Sequence, residues 1–303
     1  MTGQNLSIIL FIFSINNFVK IKNQIVLNST NMIRFLLIFT LILFQQADPI
    51  KAISYNIRYN NPKDGMNVWE NRRETVASLL NEESADFVGL QEVVYPQLLD
   101  LVQSLKGYDH IGVGRKDGKT KGEYSPIFYK KEKFKLLESK TFWLSQTPDT
   151  VSKGWDASLE RICTYGLFQN RKTQEKIWVF NTHFDHRGVK ARIKSVDLLI
   201  KKVDLLNPEN LPVIITGDFN LTPDQAPIHK MQSHFKDVQH NLPKSDPHYS
   251  TSNNFDTEKV RKKRIDYVFI KSLKSKKAKH LYRKTPMGGW ASDHHPVIVL
   301  LEK

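Results

Sequence analysis

The stretch Pro212-Val213-Ile214-Ile215-Thr216-Gly217-Asp218-Phe219-Asn220-Leu221-Thr222-Pro223-Asp224 holds the most chemically pointed residues of the chain. A β-branched apolar run ends in Gly217, an acid, an aromatic ring and an amide, and Thr-Pro then closes it: the pattern of a buried strand with polar side chains at its tip. Strand side chains alternate, so Asp218 and Asn220 share one face while Phe219 turns into the core. Taken alone, GDFN is also ordinary turn composition. The arrangement recurs, however. Asn56 follows the run Ile50 to Tyr55, Glu92 follows Phe87 to Leu90, His183 follows Trp178 to Thr182, Asp266 begins an apolar strand, and Asp293-His294 precede Val297 to Leu300. Carboxylates, imidazoles and carboxamides gathered at six strand ends are the groups that bind hard cations and move protons.

Composition narrows the chemistry further. Cys163 is the sole cysteine, which excludes an intramolecular disulfide and a thiolate zinc site, so any metal is held by oxygen and nitrogen. The 303 residues carry a formal charge of +14, which favours anionic partners: nucleic acid, a phospholipid surface or phosphorylated small molecules. A lysine-rich surface that only keeps the protein soluble gives the same number.

The elements that position these groups read as follows. Strands are expected at Ile50 to Tyr55, Phe87 to Leu90, Tyr108 to Gly112, Tyr124 to Tyr129, Phe134 to Leu144, Ile162 to Phe168, Ile177 to Thr182, the Val213 run, Arg264 to Ile270 and Val297 to Leu300. Helices are expected at Asn71 to Glu82, at Pro96 to Leu105 with Leu98, Leu99, Leu101, Val102 and Leu105 inward, and at Val189 to Leu206 with Val189, Ile193, Val196, Ile200 and Val203 inward. Residues 232–258 read as loosely structured. No repeat and no long linker separates two domains.

Residues 1–47 stand apart. Met32-Ile33-Arg34 followed by Phe35 to Phe44 has the form of a signal peptide, so the expected start is Met32, with export to a secreted or periplasmic location and a mature domain from 48 to 303. A retained membrane anchor is the alternative. Removing 1–47 takes away three of the 45 basic residues and none of the 31 acidic ones, which leaves +11.

In order along the chain, SYNIR, LQE, NTHFDH, TGDFN, RIDYVF and SDHHP resemble the motifs of the endonuclease/exonuclease/phosphatase superfamily, the DNase-I-like phosphodiesterases. The resemblance runs from about 50 to 302, and GEYSPIFY adds Glu123. The stretches Gly114 to Gly118, Thr141 to Ser145, Ser152 to Asp156 and Arg161 to Thr164 are similar to a largely uncharacterised, often secreted branch of that superfamily. The resemblance implies an α/β four-layered sandwich of two mixed β-sheets flanked by helices. It implies a Mg²⁺ ion, with Mn²⁺ as an alternative, held by Glu92 with Asn56 and Asp293. It makes Asp218 the group that orients or deprotonates the attacking water, with Asn220 beside it. It pairs Asp266 with His294 and Glu123 with His183, each carboxylate favouring a charged imidazole.

Arg161, His186 and Arg192 are added as candidates for gripping a substrate phosphate through charge-assisted hydrogen bonds. The expected activity is metal-dependent phosphoester hydrolysis, with DNA or RNA as the leading substrate. The basic runs Lys259 to Arg264 and Lys271 to Lys279 point that way, since both lie near Asp266 in sequence. Phospholipid or small phosphoester substrates, and a non-catalytic binding module, are the alternatives. Nothing points to an obligate protein partner, and a monomer is expected.

Overall fold

Alternation of buried and exposed positions, and runs buried on both faces, produce twelve strands and four helices among the described residues. In chain order they are β1 (Ile50–Asn56), α1 (Trp69–Glu83), β2 (Phe87–Gln91), α2 (Tyr95–Ser104), β3 (Tyr108–Ile111), β4 (Ile127–Lys130), β5 (Phe134–Trp143), β6 (Ile162–Asn170), β7 (Lys176–His183), α3 (Val189–Leu206), β8 (Val213–Asp218), α4 (Ala226–His234), β9 (Lys236–Asp237), β10 (Asp266–Lys271), β11 (Lys274–His280) and β12 (Val297–Glu302). A single 3₁₀ turn, Gly65–Asn67, precedes α1. This computed structural model describes residues 48–303 apart from 260 and 261, and ahead of them only Lys20, Lys22 and Gln24. The signal-peptide-like run and its processing point lie outside the described residues. Among those described, no helix is long and apolar enough to cross a membrane. The chain divides at Asp48 into two units, and all that follows concerns the second, Pro49–Lys303.

Two six-stranded mixed sheets form, with orders β11-β12-β1-β2-β4-β3 and β5-β6-β7-β8-β10-β9. Only β1 with β2 and β7 with β8 run parallel; the other pairs are antiparallel. The inner faces meet through Ala52, Phe87, Ile127, Phe168, Val179, Ile214, Val268 and Val299. Outside the first sheet, Val76, Leu79, Leu80, Leu98 and Leu101 of α1 and α2 pack on Ile53, Tyr55 and Val88. Outside the second, Val196, Leu199, Ile200 and Val203 of α3, with Ile228 and Met231 of α4, pack on Phe180, Ile215 and Phe269. The result is the expected α/β/β/α sandwich, because each sheet buries one face on its twin and the other on amphipathic helices.

Register puts the chemistry at one end. Asn56 lies opposite Gln91, the last residue of β2, and Ser54 lies opposite Val297, the first of β12. In the second sheet His183, Asp218 and Asp266 stand side by side across β7, β8 and β10. Just beneath that end the sheets are bolted by polar groups rather than by apolar packing. Gln91 Nε2 donates to Asn181 Oδ1 at 2.6 Å, Asn181 Nδ2 donates to the Leu90 and Pro126 carbonyls at 2.6 and 2.9 Å, and Gly217 N donates to Ser54 Oγ at 2.9 Å.

Some expectations about helix faces and loops need correction. Leu99 and Val102 of α2, and Val189 and Ile193 of α3, are exposed. In α3 the expected Val196, Ile200 and Val203 do face inward, joined by Ala191, Ser195 and Leu199 in place of Val189 and Ile193. The basic run Lys271 to Lys279 is largely β11, an edge strand paired to β12, and the region after 225 contains α4 and β9.

Candidate active site

Asn56 spans the cleft between the two sheets. Its Nδ2 donates to Glu92 Oε1 on one side and to Asp218 Oδ2 on the other, both at 3.1 Å, while its Oδ1 accepts from Arg58 N at 3.0 Å. Glu92 Oε2 accepts from Tyr59 N at 3.1 Å. Asp293 stands on the same rim, where Ser292 Oγ donates to its Oδ1 at 3.3 Å. Arg58 is clamped by Asp64 through Nε and Nη2 at 2.8 and 2.9 Å, and its Nη1 lies 3.9 Å from both Glu92 Oε2 and Asp293 Oδ2. A cation thus already faces two carboxylates whose free lone pairs, with the Asn56 amide oxygen, form an oxygen set suited to a hard divalent ion. Burial, and the Glu92 charge after it, push the Asp293 carboxyl up. Arg58, Glu92 and Asn220 all take left-handed backbone, at φ 58°, 63° and 50°. For residues with a β-carbon this costs about 1–2 kcal/mol each, and such strain collects at functional sites.

The opposite wall is a hydrogen-bonded network of proton-bearing groups. Asp266, wholly buried, accepts from His294 Nδ1 at 2.8 Å, and His294 Nε2 faces Asp218 Oδ2 at 3.9 Å. Burial alone would lower the His294 pKa, but the charge and hydrogen bond of Asp266, with Asp218 behind them, hold it well above its ordinary value. Asp218 is pushed up to about 7, first by burial and then by the Asp266 charge. Phe219 is buried in the core, while Asn220 N donates to Asp218 Oδ1 at 2.9 Å. Asp218, Asp266 and His294 also form a candidate metal site, their ligand atoms within 4.8 Å of one another. An imidazole that is protonated offers no lone pair to a metal, so this trio suits proton transfer and the Glu92 rim suits the ion.

His183 departs from expectation. Its Nδ1 is 3.9 Å from Glu123 Oε2, beyond hydrogen-bond reach, because Arg115 takes that carboxylate in a two-pronged pair at 2.7 and 2.8 Å. Burial, then the charges of Arg161 and Arg115, drive the His183 pKa well down, so the ring is neutral rather than charged. Its tautomer follows from Asn220, whose Nδ2 donates to the Phe184 carbonyl at 3.1 Å and lies 3.2 Å from His183 Nε2. The amide nitrogen is fixed as the donor, so Nε2 accepts and Nδ1 carries the hydrogen.

Beside His183 is a crevice too narrow for a water molecule, lined by Arg115, Glu123, Tyr124, Ser125 and Arg161. Arg161 Nε reaches Asp185 Oδ2 at 3.4 Å and Nη2 donates to His186 Nδ1 at 3.0 Å. Asp185 in turn accepts from Ser158 N and Oγ, Arg187 N and Gly188 N, at 3.1, 2.9, 2.9 and 2.7 Å, which ties the loop before β6 to the start of α3. Arg115 Nε, Arg161 Nη1 and His183 Nδ1 are buried with no hydrogen-bond partner among the described residues. Leaving such a donor unpaired costs about 1–3 kcal/mol. Of the added candidates, Arg161 is in the crevice, exposed His186 touches it through Arg161, and Arg192 is spent on the Asp185 carbonyl at 3.0 Å. Arg58, Arg115 and Asp185 were missed by the sequence reading. A charged residue inside a Gly-flanked loop, and the second acid of the NTHFDH piece, were the available signals.

The second basic run and Arg264 do not line this cleft. Arg264 is buried in a two-pronged pair with Asp237 at 2.7 and 3.1 Å. Lys271 pairs in register with Val213, five residues from the Asp266–Asp218 pair, or about 17 Å along the strand. Among the described residues of the first run, Lys259, Lys262 and Lys263 are exposed ahead of β10.

The sequence profile of the Endonuclease/Exonuclease/phosphatase family matches residues 53–294. Among solved structures, an endonuclease/exonuclease/phosphatase family protein of Bacteroides thetaiotaomicron is 40% identical with a TM-score of 0.77, covering 84% of this chain and 94% of that one. A mannosyl-6-phosphatase of the same organism is 38% identical with a TM-score of 0.78, covering 84% of this chain and 100% of that one. Protein L388 of Acanthamoeba polyphaga mimivirus is 30% identical over 159 residues, which cover 50% of this chain and 59% of that protein. The chain thus spans about three fifths of that curated relative's length. With the profile matched across most of its length and the motif residues meeting at one end of the sandwich, the chain belongs to the endonuclease/exonuclease/phosphatase family.

Proposed function

We propose that this protein hydrolyses phosphoesters with a divalent cation held by Glu92, Asp293 and the Asn56 amide oxygen, and that its substrates are small phosphorylated molecules. One observation carries the reading: an oxygen-rich rim and a proton-bearing wall face each other across the single amide of Asn56. Members of the family are phosphoester hydrolases that generally use divalent metals. When bound, Mg²⁺ or Mn²⁺ supplies positive charge to the phosphoryl oxygens. The side chains do the rest. Asp218, at about 7, is poised to take a proton from the attacking water near neutrality. Asn220 and Asn56 fix that carboxylate from two sides. His294, charged and braced by Asp266, supports the anionic phosphoryl group, and neutral His183 offers it Nδ1–H.

Nucleic acid is the second reading, favoured by the charge of +14. Against it, Arg264 is locked in the core and Lys271 lies at the far end of the sheet. The 38% identity to a mannosyl-6-phosphatase supports a small substrate. A panel of plasmid DNA, RNA, phosphoinositide, sphingomyelin and sugar phosphate, each with Mg²⁺ and with EDTA, tests both. Turnover of the sugar phosphate that EDTA abolishes is expected. Folded protein inert towards all five with Mg²⁺ and with Mn²⁺ would mean a binding module, and turnover confined to DNA or RNA would restore the nuclease reading.

A further inference from the structure

Arg58 faces the two acids of the rim without closing on either. Elsewhere in the protein buried arginines grip one acid with two bonds, Arg115 on Glu123 at 2.7 and 2.8 Å and Arg264 on Asp237 at 2.7 and 3.1 Å. Arg58 grips Asp64 in that way, through Nε and Nη2, and its Nη1 stays 3.9 Å from both Glu92 Oε2 and Asp293 Oδ2, short of a hydrogen bond. What holds the guanidinium back is built independently of the rim. Asp64 ends a tight turn, where its N donates to the Asn61 carbonyl at 3.1 Å and its Oδ1 accepts from Asn61 Nδ2 at 2.7 Å. The Arg58 backbone is fixed as well: its N donates to Asn56 Oδ1 at 3.0 Å and its carbonyl accepts from Gln97 Nε2 at 2.9 Å. The guanidinium lies over the Tyr59 ring, 4.5 Å from the ring centre.

We propose that Asp64 is a positioning residue of the metal rim: it holds Arg58 off Glu92 and Asp293 and so keeps their oxygens open to a divalent ion. The proposal deepens the hydrolase reading above and rests on it. Arginine keeps its charge at every working pH, so only a competing acid can restrain it. A shift of about 1 Å would bring Nη1 within bonding distance of either rim carboxylate. Released from Asp64, the fork that now grips this acid would pair with Glu92 or Asp293, since a guanidinium matches a carboxylate in both charge and shape. The lone pairs taken in that way are the ones a hard divalent ion needs. Held where it is, Arg58 offsets the mutual repulsion of the two acids without occupying them.

Mn²⁺ titrated calorimetrically into the metal-free full chain, with no substrate present, reads the rim directly. Asp64→Asn should weaken binding by about tenfold or more, and Asn61→Ala, which only loosens the turn, by less. Loss of the Asp64 charge by itself also weakens a cation site, so the cycle with Arg58→Met decides. In the Arg58→Met background Asp64→Asn should cost less than about threefold, because no guanidinium remains to fall onto the rim. Melting temperatures check that each variant is folded, and should Asp64→Asn not fold, Asn61→Ala taken through the same cycle decides. A loss that is the same with and without Arg58, or no loss in the folded single variant, would overturn the role of Asp64 while leaving the hydrolase reading intact. A wild type that binds neither Mn²⁺ nor Mg²⁺ would sink the divalent-ion reading itself, and this role with it.

Discussion

At the scale of single residues, Asp266 and His294 act as one unit, and that is measurable. The 2.8 Å bond from Nδ1 to a wholly buried carboxylate holds the imidazole charged. Asp266→Asn keeps the shape and removes the charge, so the histidine pKa falls and the ring is neutral over more of the working range. The expected result is a kcat loss of about 10²–10⁴-fold, an alkaline limb of the pH–rate profile shifted downward, and folding largely intact. His294→Ala should be about as severe, and the double variant scarcely worse than either, as for residues that work together. Additive losses across that cycle would show two independent residues. Asp266, His294, Asn56, Glu92, Asp218 and Asn220 were all legible in the sequence, because each sits where an apolar strand begins or stops. Arg115 was not, since what makes it matter is a partner, Glu123, that sequence assigned to His183. A single carboxylate with two suitors is settled by geometry alone.

At the scale of elements, the two sheets are held in register near the cleft by Gln91, Asn181 and Ser54. Gly89 is the clearance that lets them meet: a Cβ there would stand 2.0 Å from Thr216 Oγ1 and 2.8 Å from Asn181 Oδ1. Gly89→Ala should lower the melting temperature by roughly 5–10 °C, the scale of a 2–3 kcal/mol overpacking penalty in a domain of this size. Thr216→Ala added to it should recover part of the loss, because the nearer clash is gone. Equal stability of single and double variants would put the cause elsewhere. The strands of the sandwich interior were readable from their β-branched runs. β11 was not: Lys-Ser-Lys-Lys-Ala-Lys-His has no apolar face to announce a strand, and its lysines are the charges with which an edge strand resists pairing with another chain. Helix α4 was missed for a related reason, with only Ile228 and Met231 buried. In the expected inward stripe of α3, Val196, Ile200 and Val203 are buried, but Val189 and Ile193, equally apolar, lie in its first two turns and are exposed.

At the scale of the molecule, charge is abundant but unevenly useful. Lys271 and Lys274 belong to the end of the sandwich away from the cleft, about 17 Å or more along the strands from Asp266, against a screening length of about 8 Å at physiological salt. Lys271→Glu with Lys274→Glu should therefore leave kcat/KM for a small phosphoester within about twofold of wild type. A loss of tenfold would show that the far end steers substrate after all.

The pairing of β1 with β12 has one more consequence. Ile50 lies opposite Leu301, so the domain's first and last strands lie side by side with these ends at the pole away from the cleft. The unit Pro49–Lys303 is in effect a ring broken at a point that no reacting group borders. A short Gly/Ser splice from Lys303 to Pro49, with a new opening in the exposed turn at Arg171 to Gln174 on the same pole, would reorder the sequence without moving any residue of the site.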